Sequence, residues 1–250
     1  MSGHSKWATI KHQKGVADAR RGQLFTKLTR EIIVAARQGG ANPDMNVRLR
    51  LAIQKARDNN MPLDNIERAI KRAVGGQDAA SLIEMTLEGY GPNGVAIMVE
   101  AMTDNRNRTV AEVRSVFSKH GGSMGESGCV SWIFESKGII TLQVSKDEAE
   151  EIALIAIDAG AADFKDEDGY LEIYTDPASL EKVREAVEQH KAVESAEIAL
   201  IPGNTMMLDE KHALQTLKLL DHLEELDDVQ RVFSNADFSD EIMEKLRAQA

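Results

Sequence analysis

The spacing of apolar residues changes at Gly75-Gly76, and this change most constrains the fold. Before it, apolar side chains recur every three or four positions, which is the period of an amphipathic helix. After it, short segments with the character of strands alternate with helical segments. We therefore predict an α+β fold in which a three-helix domain precedes two α+β domains.

Three helices are predicted before the change in period. The first covers about 23–37, the second begins at Asn42-Pro43 and ends near Asn59, and Pro62 opens the third. The second helix is predicted to turn Met45, among others, toward the core. Residues 1–22 lack this periodicity, and we expect a mobile arm that orders on binding.

Two α+β domains are predicted after the change, one inserted into the other. The stretch 82–134 has strands, the last at Cys129–Phe134, but only one helix, at about 108–120. A helix at 209–225 and a strand at 228–234 supply the missing pair. Between them lies a β-α-β-β-α-β order, typical of a ferredoxin-like unit. The predicted domains are 1–78, 79–136 plus 204–238, and the inserted 137–203.

Charge is divided unevenly along a chain whose net charge is −11. Residues 1–75 hold fifteen Lys or Arg against six Asp or Glu, a net charge of +9, which leaves −20 for the remaining 175 residues. A basic head on an acidic body indicates oriented contact with a polyanion. The alternative is that the basic face neutralises the acidic body or a neighbouring subunit.

The candidate residues for binding nucleic acid are the cations of the head, two rings in the arm that could stack on bases, and two arginines at a strand-to-helix junction. Trp7 could instead anchor the arm on the core, and the junction could be a simple helix cap made by Asn107 or Thr109. The candidates are Lys6, Trp7, Lys11, His12, Lys14, Arg20, Arg21, Lys27, Arg30, Arg37, Arg48, Arg50, Lys55, Arg57, Arg68, Lys71, Arg72, Arg106 and Arg108.

Two glycine-rich segments resemble ligand-binding loops. Gly89–Gly94 fits G-x-G-x-x-G, but a strand follows it where a dinucleotide site needs a helix, so a hairpin is predicted. Gly121–Gly128 could cradle an anion with backbone N–H groups. It lacks the Lys-Ser/Thr ending of a phosphate-binding loop, and a flexible loop is the favoured interpretation.

No pattern in the sequence indicates an enzyme. Cys129 is the only cysteine, which excludes an internal disulfide and a cysteine-based zinc site, and it is predicted to be a small buried side chain. The histidines lack the spacing of metal ligands. We expect no catalytic residue, metal, cofactor or small-molecule substrate. No apolar run is long enough to span a membrane, no signal peptide is recognised, and a cytoplasmic location is expected.

Several segments together resemble the YebC family, and the likeness covers essentially the whole chain. Its motifs are far more specific than the loop patterns above. They are Gly3–Trp7, Phe25–Leu28, Asn59–Pro62, Ile66–Arg72, Glu88–Gly94 and Thr103–Thr109.

The resemblance implies a cytoplasmic, non-enzymatic factor in gene expression with a helical domain and two α+β domains, one discontinuous. Bacterial members are commonly labelled DNA-binding transcriptional regulators, whereas the mitochondrial relative is a translational activator and bacterial relatives are tied to paused ribosomes. DNA and ribosomal RNA, and with it the ribosome, are therefore both expected partners. No helix carries base-reading residues at suitable spacing, which slightly favours structured RNA. Transcriptional regulation remains the leading hypothesis.

Overall fold

The computed structural model describes residues 18–75, 82–167, 169–239 and 241–242. The chain forms two compact units. The smaller unit comprises residues 134–203, and the larger contains the chain before and after that insertion. In the described part of the chain, no helix is both long enough and apolar enough to cross a membrane.

The helices follow the predicted order, and the strands follow it except that one predicted strand does not form and three two-residue strands are added. The helices are α1 (Asp18–Gly39), α2 (Val47–Asp58), α3 (Leu63–Val74), α4 (Arg106–Lys119), α5 (Lys146–Ala159), α6 (Leu180–Glu188) and α7 (Glu210–Glu224). The strands are β1 (Ile83–Tyr90), β2 (Ala96–Thr103), β3 (Ser123–Met124), β4 (Phe134–Gln143), β5 (Asp163–Glu167), β6 (Tyr170–Thr175), β7 (Ser195–Pro202), β8 (Met206–Met207), β9 (Val229–Ser234) and β10 (Ala236–Asp237).

Helices α2 and α3 both pack against α1 around an apolar cluster that includes Ile32, Leu49 and Ile66. Each helix contributes the residues spaced three or four apart that the periodicity indicates. The α+β class and the helical region before the sheets are as predicted. The details of α2 are not.

Helix α2 begins later than predicted because a buried asparagine caps it. The Oδ1 atom of Asn46 accepts a hydrogen bond from the Leu49 N–H at 3.0 Å, and its Nδ2 donates to the Ala35 carbonyl of α1 at 2.8 Å. One side chain thus caps α2 and ties it to α1. The predicted start at Asn42-Pro43 lies in a turn, and Met45, predicted to face the core, is 82% exposed.

The larger unit contains a four-stranded antiparallel sheet in the order β3-β1-β2-β9. Strand β9, which follows α7, completes the sheet beside β2. Helices α4 and α7 supply Phe117 and Leu217 to the apolar cluster of this unit. Gly89–Gly94 forms the predicted hairpin: it includes a turn at Pro92–Gly94, where Asn93 (φ 61°) and Gly94 (φ 83°) are left-handed, and strand β2 follows.

The predicted strand at Cys129–Phe134 is wrong. Ser131–Ile133 forms a 3-10 turn, and Phe134 already belongs to β4 of the smaller unit. The N–H groups of Gly128, Val130 and Ser131 donate to the buried carboxylate of Glu88. Those N–H groups are consequently unavailable for a strand ladder.

The smaller unit has the ferredoxin-like sheet order β5-β6-β4-β7, with all neighbours antiparallel. Helices α5 and α6 pack on one face. A Cβ on Gly138 of β4 would collide with the Thr175 hydroxyl of β6 and lie 3.0 Å from the Leu180 Cβ of α6, so the close packing at this position favours glycine. Ser145 and Glu148 form a capping box at the start of α5, in which the Ser145 N–H donates to the Glu148 carboxylate at 2.9 Å.

Candidate nucleic-acid interface

Some candidate cations of the helices are bonded to the α+β part of the same unit. The Nζ of Lys27 donates to the Glu224 carbonyl at 2.5 Å. Arg30 lies 3.0 Å from the Asp228 carboxylate and also donates to the Asp227 carbonyl at 2.5 Å. Arg48 forms an ion pair with Glu84 of β1. These three cations hold the helices on the sheet.

The carboxylate that Arg30 meets, Asp228, is only 3% exposed and has several further partners. Its carboxylate accepts hydrogen bonds from the Thr103 and Thr109 hydroxyls at 2.9 and 2.7 Å and from Arg108 at 2.7 Å. Burial alone would raise the pKa of Asp228, but the hydrogen bonds from Arg108 and the two threonines, with the Arg30 charge, lower it. The carboxylate is therefore ionised at neutral pH.

The strand-to-helix junction predicted as an anion site is filled by these internal groups. Asn105 caps α4, because its Oδ1 accepts from the Arg108 N–H at 3.1 Å, so the cap is neither of the two residues proposed. The Arg108 guanidinium contacts the carboxylates of Asp104 and Asp228. Arg106 is exposed and has no ion-pair partner among the described residues.

A second group of cations points away from the chain. Arg57 at the end of α2 and Arg68 and Arg72 on α3 are exposed, and no carboxylate in the described part of the chain forms an ion pair with them. Lys71 is 80% exposed and only 3.9 Å from Glu67. Because residues three and four apart share one helix face, the three cations of α3 form a single basic surface. Arg57 is grouped with them because it too is exposed and without a carboxylate partner in the described chain, and we call Arg57, Arg68, Lys71 and Arg72 the α2–α3 basic face.

The other candidate cations are partly engaged or lie outside the described residues. Arg37 and Arg50 donate to the carbonyls of Leu82 and Pro43, and Lys55 is 3.7 Å from Glu31. Arg21 is exposed on α1, and Arg20 lies near its start. The arm candidates, which are outside the described residues, are Lys6, Trp7, Lys11, His12 and Lys14.

The Gly121–Gly128 loop does contribute to a ring of N–H groups around an anion, but the anion belongs to the chain. The Glu88 carboxylate accepts from Gly128, Val130 and Ser131 at 2.7, 2.8 and 2.9 Å. Burial raises the pKa of Glu88, and these three backbone hydrogen bonds outweigh that effect and lower it.

Two further residues near this loop differ from expectation. Cys129 is half-buried in a turn, and burial together with the Glu88 charge raises the pKa of its thiol. Trp132 is 73% exposed and is not among the candidates drawn from the sequence. The available signal is a tryptophan four residues after a glycine-rich loop. No group of three or more potential metal ligands is found in the described ranges.

Comparison with known proteins identifies the class of protein to which this fold belongs. Residues 5–76 match the TACO1/YebC protein N-terminal domain, and residues 82–236 match the TACO1/YebC second and third domain. The chain therefore belongs to the TACO1/YebC family.

Relatives of similar length carry a regulatory name. A probable transcriptional regulatory protein of Dehalococcoides mccartyi strain BAV1 is 61% identical over 251 residues, covering 100% of both chains. One from Geobacter sulfurreducens is 56% identical over 98% of this chain and 100% of its own. The crystal structure of a conserved hypothetical protein from Aquifex aeolicus superposes with a TM-score of 0.82 at 50% identity, covering 89% of this chain and 93% of that one.

Proposed function

We propose that this protein is a non-enzymatic regulator of transcription that binds DNA through the α2–α3 basic face. The names of its relatives support a regulatory role. One observation carries the binding surface: Arg57, Arg68 and Arg72 have no carboxylate partner in the described structure, whereas Arg30 and Arg48 of the same helical region do. Exposed cations without partners remain available for phosphate.

The chemistry of this surface favours contacts with the backbone of the nucleic acid. Guanidinium groups bind phosphate oxygens in pairs of hydrogen bonds, and such contacts carry no base information by themselves. The proposal therefore includes little sequence discrimination by α3 itself. Structured RNA offers the same phosphates. If the protein binds RNA rather than DNA in cells, a role in translation replaces the proposed role in transcription.

The proposal is tested by reversing three charges on α3. Arg68→Glu, Lys71→Glu and Arg72→Glu together should weaken binding to a labelled DNA duplex by about a hundred-fold or more at ~150 mM salt, measured by fluorescence anisotropy. The slope of log affinity against log salt should fall by about 0.9 for each phosphate that the variant no longer neutralises. Thermal unfolding should change little, since these side chains are exposed.

A matched control changes the net charge equally elsewhere in the same unit. Lys119, Lys211 and Lys218 are exposed on α4 and α7, and reversing all three should leave most of the affinity intact. Equal losses of affinity in both triple variants would show only a general charge effect. In cells, crosslinked promoter DNA would support the transcriptional role, and ribosomal RNA would move the function to translation.

A further inference from the structure

The most conspicuous apolar side chain outside the basic face is Trp132. It sits on the 3-10 turn Ser131–Ile133 of the larger unit with 73% of its surface exposed. Tryptophan is the largest side chain, and leaving it in water forgoes the burial free energy that it offers. A tryptophan held in this way is typical of a contact site.

The ring of Trp132 is fixed by its own polar atom. The indole Nε1 donates to the Cys129 carbonyl at 3.1 Å, and the Tyr90 hydroxyl donates to the same oxygen at 2.9 Å. Two aromatic side chains thus converge on one carbonyl. Since the indole N–H is already committed, a partner meets the faces and carbon edges of the ring.

The backbone beneath the ring is fixed by a buried anion. Glu88 accepts hydrogen bonds from Gly128, Val130 and Ser131, the last being the residue before Trp132. Val130 is completely buried and anchors the same turn. A turn ordered before binding loses little further freedom when a partner arrives, which favours affinity.

We propose that Trp132 is a stacking site for an unpaired nucleobase, with Glu88 and Tyr90 as positioning residues; this rests on the proposed binding of nucleic acid. Every base has a π-face, and stacking needs no hydrogen bond from the indole. The shared chemistry is that of a base in unpaired DNA or RNA. The site adds selection for unpaired bases to the charge-based contacts of the α2–α3 basic face.

The chain contains two tryptophans, so Trp7→Phe leaves Trp132 as the only one. In that background, emission is followed during titration with single-stranded DNA of about twelve nucleotides, with RNA of the same sequence, and with an abasic strand of equal length. The base-containing strands should quench Trp132. The abasic strand, which has the same phosphates, should bind more weakly and leave the emission unchanged.

Substitution gives an independent measurement. Trp132→Ala should lower affinity for the base-containing strands by roughly five- to one-hundred-fold and leave the abasic strand unaffected. Trp132→Phe should retain most of the affinity, because a flat ring remains. Met207→Ala, which removes another exposed apolar side chain of the same unit, should have no effect.

Any of the following results would overturn the inference. If the abasic strand quenches equally, or if Trp132→Ala binds all strands like its parent, Trp132 does not stack on bases while the basic face still binds phosphate. If no single strand binds while the labelled duplex still does, the inference fails and the proposed function stands; if neither the strands nor the duplex bind, both fail. If a Lys-Pro peptide quenches the emission and the strands do not, the site belongs to a protein partner.

Discussion

The helical region carries Lys and Arg side chains on two faces. The two sets of cations differ in what lies opposite them. On one face, Lys27, Arg30 and Arg48 meet a carbonyl or carboxylate from the sheet part of the same unit. On the other, Arg68 and Arg72 meet no carboxylate of the described chain. The excess of positive charge in residues 1–75 therefore divides between holding the fold together and, as we propose, binding phosphate.

This division changes how the net charge of the region is to be interpreted. A count of Lys and Arg treats all of them as equally available to a polyanion. A cation held by a buried carboxylate such as Asp228 contributes little field outward and would lose stabilising bonds if it turned toward phosphate. The surface proposed to bind phosphate therefore contains fewer cations than the count of Lys and Arg suggests. Substituting the cations one at a time tests which of them belong to it.

The largest effect on stability is expected at Asp228. Replacing it with Asn removes the negative charge that Arg30 and Arg108 share, and we expect the free energy of unfolding in urea to fall by about 2–3 kcal/mol. The loss is no larger because Arg108 is partly exposed and can turn to water. Asp227→Asn, one residue earlier and exposed, should cost less than ~0.5 kcal/mol. Equal stability of the two variants would mean that the Asp228 contacts do not hold the helices.

The next largest effect is expected from acid, which should lower the stability that the buried carboxylates of Asp228 and Glu88 contribute. The folded-state pKa values of Asp228 and Glu88 are lowered, so their stabilising contribution is complete above the unfolded-state values near 4. It is lost as the pH falls through the folded-state values. We expect stability measured by urea unfolding to decline below about pH 4.5, and to decline less steeply in Asp228→Asn and Glu88→Gln. Parallel curves for variants and parent would contradict these directions.

A pair of arginine substitutions should separate the two faces directly. Arg30→Gln should cost about 1–2 kcal/mol of stability, since it removes the ion pair with Asp228 and a charged hydrogen bond to the Asp227 carbonyl, and it should leave DNA affinity nearly unchanged. Arg68→Gln should leave stability within ~0.5 kcal/mol and lower affinity severalfold. Unfolding curves and anisotropy on the same two proteins test both halves. If Arg30→Gln lowered affinity as much as Arg68→Gln, the division would fail.

The predictable parts of this fold are those set by local patterns. The apolar periodicity predicts α1, α2 and α3, and the alternation of elements predicts the ferredoxin-like order of the smaller unit. The start of α2 was missed because Asn46 is chosen as the cap by its bond to Ala35, a tertiary contact that outweighs the local signal of Asn42-Pro43. Local rules cannot see such a bond.

The candidate site was harder to predict for the same reason. Glycine spacing allows an anion site near Gly128 but favours a flexible loop, and only the fold reveals that Glu88, forty residues earlier in the chain, supplies an anion there. Because the Val130 and Ser131 N–H groups donate to Glu88, this segment forms a tight turn rather than the predicted strand, and Trp132 is exposed on that turn. Likewise, Arg30 and Arg68 look alike in sequence, and the carboxylate that distinguishes them lies 198 residues from Arg30.

The smallest effects on stability and affinity are expected at Arg48, which is bonded to a carboxylate of the chain but is also partly exposed. It pairs with Glu84, and this hydrogen-bonded pairing raises the pKa of Arg48 and lowers that of Glu84, yet both side chains are partly exposed, at 43% and 37%. Water and salt screen such a pair, so Arg48→Gln should cost about 0.5 kcal/mol or less in urea unfolding. DNA affinity should stay within about twofold of the parent, because the guanidinium is already occupied by a carboxylate. A clear loss of affinity would show that Glu84 releases Arg48 to the polyanion, and the boundary between the two faces would then move to include it.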